Sequence, residues 1–391
     1  MNKSCLIGFL MCSAFSLVVQ AATDGAHITK TISQIERKKG IKRTIQYRPD
    51  GNDFVCVNGK NRYTRALYGG ITDFRIETSD RPVFAAYKPK DSKHICFRLQ
   101  CGNQSIALDS LKFCEARYRA GRRTYRLTDP LLGKGELNIS VLAFPDAEGG
   151  IWRFTMKDMP EGALLHCYIS EIRAKNLSRN GDMGADRADS FDAPQLPKEQ
   201  KHYKLSLDGT TAYIVVEDQE LRLPALVEGT SLYDKSEKWR SEIESSLQIS
   251  TPDPYFNPLG GALAAAADGI WDGKIWLHGA IGWRSQLNGW RAAYIGDFIG
   301  WHDRARTHFD SYAASQVTDV PATIPHPTQD TALHLARSVK KWGTPHYSNG
   351  YICRTPYRKD QMHHYDMNLC YIDELLWHFN WTGDLDYVRK M

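Results

Sequence analysis

LKFCEARYRAGRRTYRL, residues 111–127, alternates apolar and polar side chains on either side of an Ala-Gly reversal. A period of two sends one face of a strand toward a core and the other toward water, and the glycine marks the turn between two antiparallel strands. The pattern recurs upstream in DFVCVNG and HICFRLQCG, and downstream in GELNISVLAF, GIWRFTMKD and ALLHCYISEI. Each run is bounded by Gly, Asn, Asp or Pro, so residues 44–171 predict two stacked antiparallel sheets, a β-sandwich. Residues 174–201, AKNLSRNGDMGADRADSFDAPQLPKEQK, are nearly devoid of large apolar side chains and read as a long inserted loop. Strands resume in HYKLSLDG, TAYIVVED and LRLPALVEG, so the sandwich is expected to close near residue 250.

Beyond Ser250 the periodicity becomes helical. Asn257 and Pro258 suit the cap and first turn of a helix carrying Leu259, Leu263 and Ala266. A second helix is expected over 290–314, with Tyr294, Phe298, Trp301, Ala305 and Tyr312 as one stripe. A third covers 331–342, stopped by Gly343. A fourth covers 366–379 with Leu369, Ile372, Leu375 and Phe379 inward. A fifth starts at TGDLDYVRKM, with Thr382 or Asp384 as N-cap, and reaches Met391 after about two turns at 3.6 residues per turn. The fold class is mixed, β then α. The last helix has no partner for its apolar face, so a helical domain that continues past Met391 is expected.

The first 21 residues, MNKSCLIGFLMCSAFSLVVQA, carry Lys3, an apolar stretch and small or apolar residues at Val19 and Ala21, the layout of a cleaved secretory signal. Met11 before Cys12 disfavours a lipid anchor. No later segment is long and apolar enough for a membrane span. The mature chain then divides into 22–250, the sandwich, and 251–391, the helices. A net charge of +5 over 391 residues excludes a dedicated nucleic-acid surface. Cys56, Cys96, Cys101, Cys114, Cys167, Cys353 and Cys370 are odd in number and irregular in spacing, so buried free thiols are expected rather than a disulfide framework.

Chemistry concentrates in WLHGAIGWRSQLNGWRAAYIGDFIGWHDRAR, residues 276–306. Gly-Trp-Arg occurs twice, at 282–284 and 289–291, in a glycine-rich connection. Indole faces and guanidinium forks suit a sugar ring with hydroxyl or carboxylate substituents. Trp283, Arg284, Trp290, Arg291 and His302 are therefore the candidate carbohydrate-binding residues, while Trp301 and Phe298 fit the core. Hydrolysis of a glycosidic bond requires two carboxyl groups. Asp297 and Asp303 are the candidate catalytic residues, six positions apart on one expected helix and so pointing in different directions. The partner carboxylate is expected from another hairpin, Asp366 or Glu374, or from beyond residue 391. Capping, or pairing with Arg291, Arg304 or Arg306, is the structural alternative for these acids. His302 with Asp303, and His363, His364 and Asp366, match no zinc spacing. No metal and no cofactor are assigned, and no phosphate loop or G-x-S-x-G elbow is present.

NGWRAAYIGDFIGWHDRA at 288–305 and YDMNLCYIDELLWHFNWTGDLDYVRKM at 365–391 resemble hairpins of the six-hairpin glycosidases. NRYTRALYGG at 61–70 and GDMGADRADSF at 181–191 resemble sandwich motifs of the DUF4450 family of exported Bacteroidetes proteins. The resemblance implies an N-terminal β-sandwich followed by the first hairpins of a truncated (α/α)6 barrel. It also implies a periplasmic or secreted bacterial glycoside hydrolase with a poly- or oligosaccharide substrate and two-carboxylate chemistry. One departure is clear: the α-L-rhamnosidase branch of these folds carries an acid shortly before a Leu-Gly-Trp-x-Gly-Asp run. Ser285, Gln286 and Asn288 stand there in this chain, so that acid does not transfer, while Asp297 matches the end of the run. A polysaccharide lyase and a non-catalytic glycan-binding protein are the alternatives.

Overall fold

The computed structural model describes residues 46–88, 90–175, 177, 187–194, 200–279, 284–287, 292–316, 318, 329–330, 335–336, 350, 352–357 and 365–391. The signal segment, Trp283, Trp290, Arg291, His363 and His364 lie outside them.

In chain order the strands are β1 (Arg48–Asp50), β2 (Asp53–Val57), β3 (Arg65–Tyr68), β4 (Arg75–Thr78), β5 (Val83–Tyr87), β6 (Lys93–Cys101), β7 (Gln104–Ala107), β8 (Phe113–Arg119), β9 (Arg122–Thr128), β10 (Glu136–Ala143), β11 (Gly149–Lys157), β12 (Leu164–Glu171), β13 (Gln200–Ser206), β14 (Thr211–Glu217) and β15 (Glu220–Arg222). One antiparallel sheet runs β1-β2-β8-β9-β10-β11-β14-β15. The other runs β13-β12-β6-β5-β4-β3, with β7 paired to β6. The β8–β9 hairpin closes with Arg119 opposite Arg122, and Gly121 takes the positive φ of +75° that the turn demands. Along β9, Arg123, Tyr125 and Leu127 are buried while their neighbours are half-buried, the alternation that the sequence implied. Phe84 meets Tyr125 and Trp152 of the facing sheet edge-on at 5.7 and 5.6 Å, and Phe97 meets Phe154 at 5.5 Å. Each such buried ring contributes roughly 1.5–3 kcal/mol.

The two sandwich motifs meet. Tyr63 stacks at a tilt on Phe191 with centroids 5.4 Å apart, and its hydroxyl donates to Asp192 at 2.8 Å. His94 reaches the Phe191 carbonyl at 3.1 Å, so the described end of the inserted loop is anchored to the second sheet.

The helices depart from expectation in five places. LPALVEG does not continue the sandwich as strand: α1 (Leu226–Ser245) begins there and lies on the outer face of the first sheet. Tyr233 packs against Tyr213, and Gly229 allows the approach, since a Cβ there would fall 2.4 Å from the Tyr213 ring. The buried face of α1 is Gly229, Tyr233, Ser236 and Arg240, which gives no apolar period to read. In α2 (Leu259–Gly269) the packed face is Gly260, Ala264 and Ala267, while Leu263 and Ala266 turn outward, because the close approach selects small residues over the leucine stripe.

The single helix expected over 290–314 is two: α3 (Ala292–Phe298) and α4 (His302–Ala313). Gly300, at φ +82°, breaks it, and Phe298 at 53% exposed does not join the core. The expected helix over 331–342 lies mostly outside the described residues, and Leu335–Ala336 within it pairs as a short strand with Gln329–Asp330.

α5 (Tyr365–Thr382) forms as expected, but its inward face is Met367, Tyr371, Glu374, Leu375 and His378. Leu369 and Ile372 turn out, because α5 carries apolar residues all round and its contacts with α3 and α4 choose the face. In α6 (Leu385–Lys390), Asp384 is the N-cap, accepting from the Tyr387 N–H at 3.0 Å. Among the described residues no helix is long and apolar enough to cross a membrane, and the seven cysteines are free.

Candidate functional site

Trp276 fixes the centre of the helical half. Its indole N–H donates to the Ala267 carbonyl at 3.2 Å and its backbone N–H to His308 Nδ1 at 3.1 Å. Around it pack Ala293, Ala305, Phe309, Tyr312, Tyr371 and Leu375 from α3, α4 and α5. His308 is fully buried, and burial lowers its pKa to about 3, so it is a neutral acceptor.

On this frame Asp297 sits at the C-terminal end of α3, His302 opens α4, and His378 lies one turn from the end of α5. The Asp297 carboxylate faces His302 Nδ1 at 2.7 Å and His378 Nδ1 at 2.8 Å. Side-chain exposure is 3% for Asp297, 0% for His378 and 39% for His302, so the cluster is buried with one imidazole at its rim. One ligand atom from each residue lies within 4.8 Å of the others, a spacing that can hold a metal ion. The arginines nearby are engaged elsewhere: Arg304 with Asp268 at 2.7 Å and Arg306 with Asp384 at 2.8 Å.

Asp303 does not join Asp297. The break at Gly300 puts it in the first turn of α4, where its side chain is 99% exposed and its ion pair is with Arg306 at 3.6 Å. Arg284, one of the expected sugar-binding residues, ties the two halves of the molecule together. It donates to Thr72 Oγ1 at 3.0 Å and the Gly269 carbonyl at 3.2 Å, and pairs with Asp73 at 2.9 Å. Of the acids weighed as partners, Asp366 lies exposed in the first turn of α5, while Glu374 is buried at 1%.

The charge of Glu374 acts on three tyrosines. Burial, the bond to Asp373 and the charge of Glu374 together raise the Tyr294 phenol. Burial with the charges of Asp272 and Glu374 does the same for Tyr312, and burial with Tyr387, Asp310 and Glu374 for Tyr371. His378 follows Glu374 by four residues on the same face of α5. Sequence reading missed His378; its signal was a buried-face polar residue spaced four from another polar residue in an otherwise aromatic and aliphatic helix. Near the helix ends, Phe298 and Trp381 meet edge-on at 5.8 Å, half-exposed. A cleft of about 250 Å³ between the sandwich and α1–α2 is lined by Tyr68, Tyr118, Trp239 and Arg240, and by none of the expected site residues.

Comparison with known proteins adds the following. A bacterial glucoamylase solved in complex with acarbose is similar at a TM-score of 0.34 and 10% identity, over 67% of this chain and 55% of that one. The chain therefore spans about half the length of that enzyme, 55%. No curated protein matches. Residues 89–216, a stretch that runs from just before β6 into β14, match the family described as Domain of unknown function (DUF4450).

Proposed function

We propose that the protein is an exported glycoside hydrolase acting on poly- or oligosaccharides. The observation that carries this reading is Glu374, a carboxyl group on the inner face of α5 that is 1% exposed. Cleaving a glycosidic bond takes one carboxyl group sheltered from water, able to hold a proton for the leaving oxygen, and a second that activates water or attacks carbon. Glu374 has the shelter from water that the first requires. Asp297 and Asp303 are the candidates for the second, and Trp283, Trp290 and Arg291 would supply the sugar platform. Residues 1–21 act as the export signal on this reading, with the sandwich over 22–250 and the helical half, the start of an (α/α)6 barrel, over 251–391. The test is release of monosaccharide from a panel of plant and host glycans. Release that Asp303→Asn and Asp297→Asn leave unchanged would remove both from the machinery.

A second reading, non-catalytic glycan binding, is favoured by the half-exposed Phe298–Trp381 pair, whose flat faces suit stacking on a sugar ring. Saturable binding with no released sugar, abolished in Trp381→Ala, would select it.

A further inference from the structure

We propose that Asp297, His302 and His378 bind a divalent transition-metal ion of the zinc class, an assignment that takes Asp297 out of the hydrolytic pair and leaves Asp303 as the candidate second carboxyl group. Three donors from three different helices converge there, so only the tertiary fold assembles them. The Asp297–His302 and Asp297–His378 separations are 2.7 and 2.8 Å and all three ligand atoms lie within 4.8 Å of one another, so opening the cluster by about 0.6 Å gives the edge of about 3.4 Å between tetrahedral ligands that each lie about 2.1 Å from one ion. Two imidazole nitrogens and one carboxylate oxygen form a borderline donor set that suits zinc, cobalt or nickel better than calcium or magnesium.

Charge points the same way. A carboxylate with a 3% exposed side chain needs a compensating positive charge. The hydrogen-bond partners of the Asp297 carboxylate among the described residues are the two imidazoles, and Arg304 and Arg306 turn to Asp268 and Asp384. His378 is fully buried, and its Nε2 has no hydrogen-bond partner among the described residues. Its ring is held edge-on by Phe309 at 5.8 Å and Tyr387 at 5.4 Å, which fixes its orientation. His302, 39% exposed, leaves a route from solvent on its side, where water would complete the coordination as in open zinc sites. On binding, each imidazole ligates through Nδ1 and keeps its one proton on Nε2.

The experiment uses the full chain, dialysed against a chelator and titrated with Zn²⁺ and Co²⁺ by calorimetry and absorption spectroscopy. The expected result is one equivalent of metal per chain, cobalt d–d bands, and a thermal midpoint that rises on metal addition. His302→Ala, at the rim of the cluster and tolerable to the fold, is expected to weaken binding by more than about tenfold. His166→Ala, removing a histidine bonded at 2.8 Å to His202 on the far sheet, is expected to leave it unchanged. Absence of stoichiometric binding in the wild-type chain would overturn the proposal. Binding that survives His302→Ala undiminished, or disappears in His166→Ala, would overturn it equally, by placing the ion elsewhere.

Discussion

Gly296 has no side chain because the indole of Trp276 fills the space: a Cβ there would stand 2.1 Å from Cη2. The Gly-Asp pair at 296–297 thus performs two tasks in adjacent positions. The glycine lets α3 close on the central tryptophan, and the aspartate then falls between His302 and His378. Gly296→Ala is expected to cost about 1–3 kcal/mol through overpacking, read by chemical denaturation. An unchanged denaturation midpoint would show that Trp276 yields freely.

His308 makes stability depend on pH. Its folded pKa is depressed to about 3 by burial, so the unfolded chain, titrating near about 6.5, takes up the proton first. Stability is complete above about pH 6.5 and is lost as the pH falls toward 3, with a slope of at most about 1.4 kcal/mol per pH unit from this group. In His308→Asn, which keeps an acceptor for the Trp276 N–H, the profile between pH 6 and pH 4 is expected to flatten. Parallel profiles for the two proteins would count against a neutral, desolvated His308.

Arg284 is expected to matter for stability rather than sugar affinity. Arg284→Ala removes a guanidinium that spans Thr72, Asp73 and Gly269. A loss of about 1–2 kcal/mol is expected, toward the lower end because Asp73 is largely exposed. Lysine should not restore it, since a single ammonium cannot reproduce the fork. Wild-type stability in Arg284→Ala, with glycan binding lost, would return the residue to the role its Gly-Trp-Arg context suggested.

The thiols should react in an order set by burial. Burial raises the Cys114 thiol to about 12, whereas Cys101 and Cys370 are only half-buried. Iodoacetamide on the native protein, followed by peptide mapping, is expected to label Cys101 and Cys370 first and Cys114 only on unfolding. Early labelling of Cys114 would indicate that the sandwich opens locally.

The sandwich was legible because its strands keep one wet face, as in β9, where the period of two survives intact. α1 was not, since its contact face is glycine, serine, tyrosine and arginine. The inward face of α5 was misread because leucine, isoleucine and tryptophan occur all round it, and α3 and α4 decide which side is buried. Asp297 stood out from its motif, but its two imidazole partners are five and 81 residues away, and only tertiary structure brings the second to it.

The most direct measurement is the rate of sugar release by the wild-type chain and by Glu374→Gln on the same glycan panel, with folding of both checked by circular dichroism. The expected result is release by the wild-type chain and a fall of about 10²–10⁴-fold in the variant, with binding retained. Equal release by the two proteins, or glycan binding by both with no release from either, would contradict hydrolysis at Glu374.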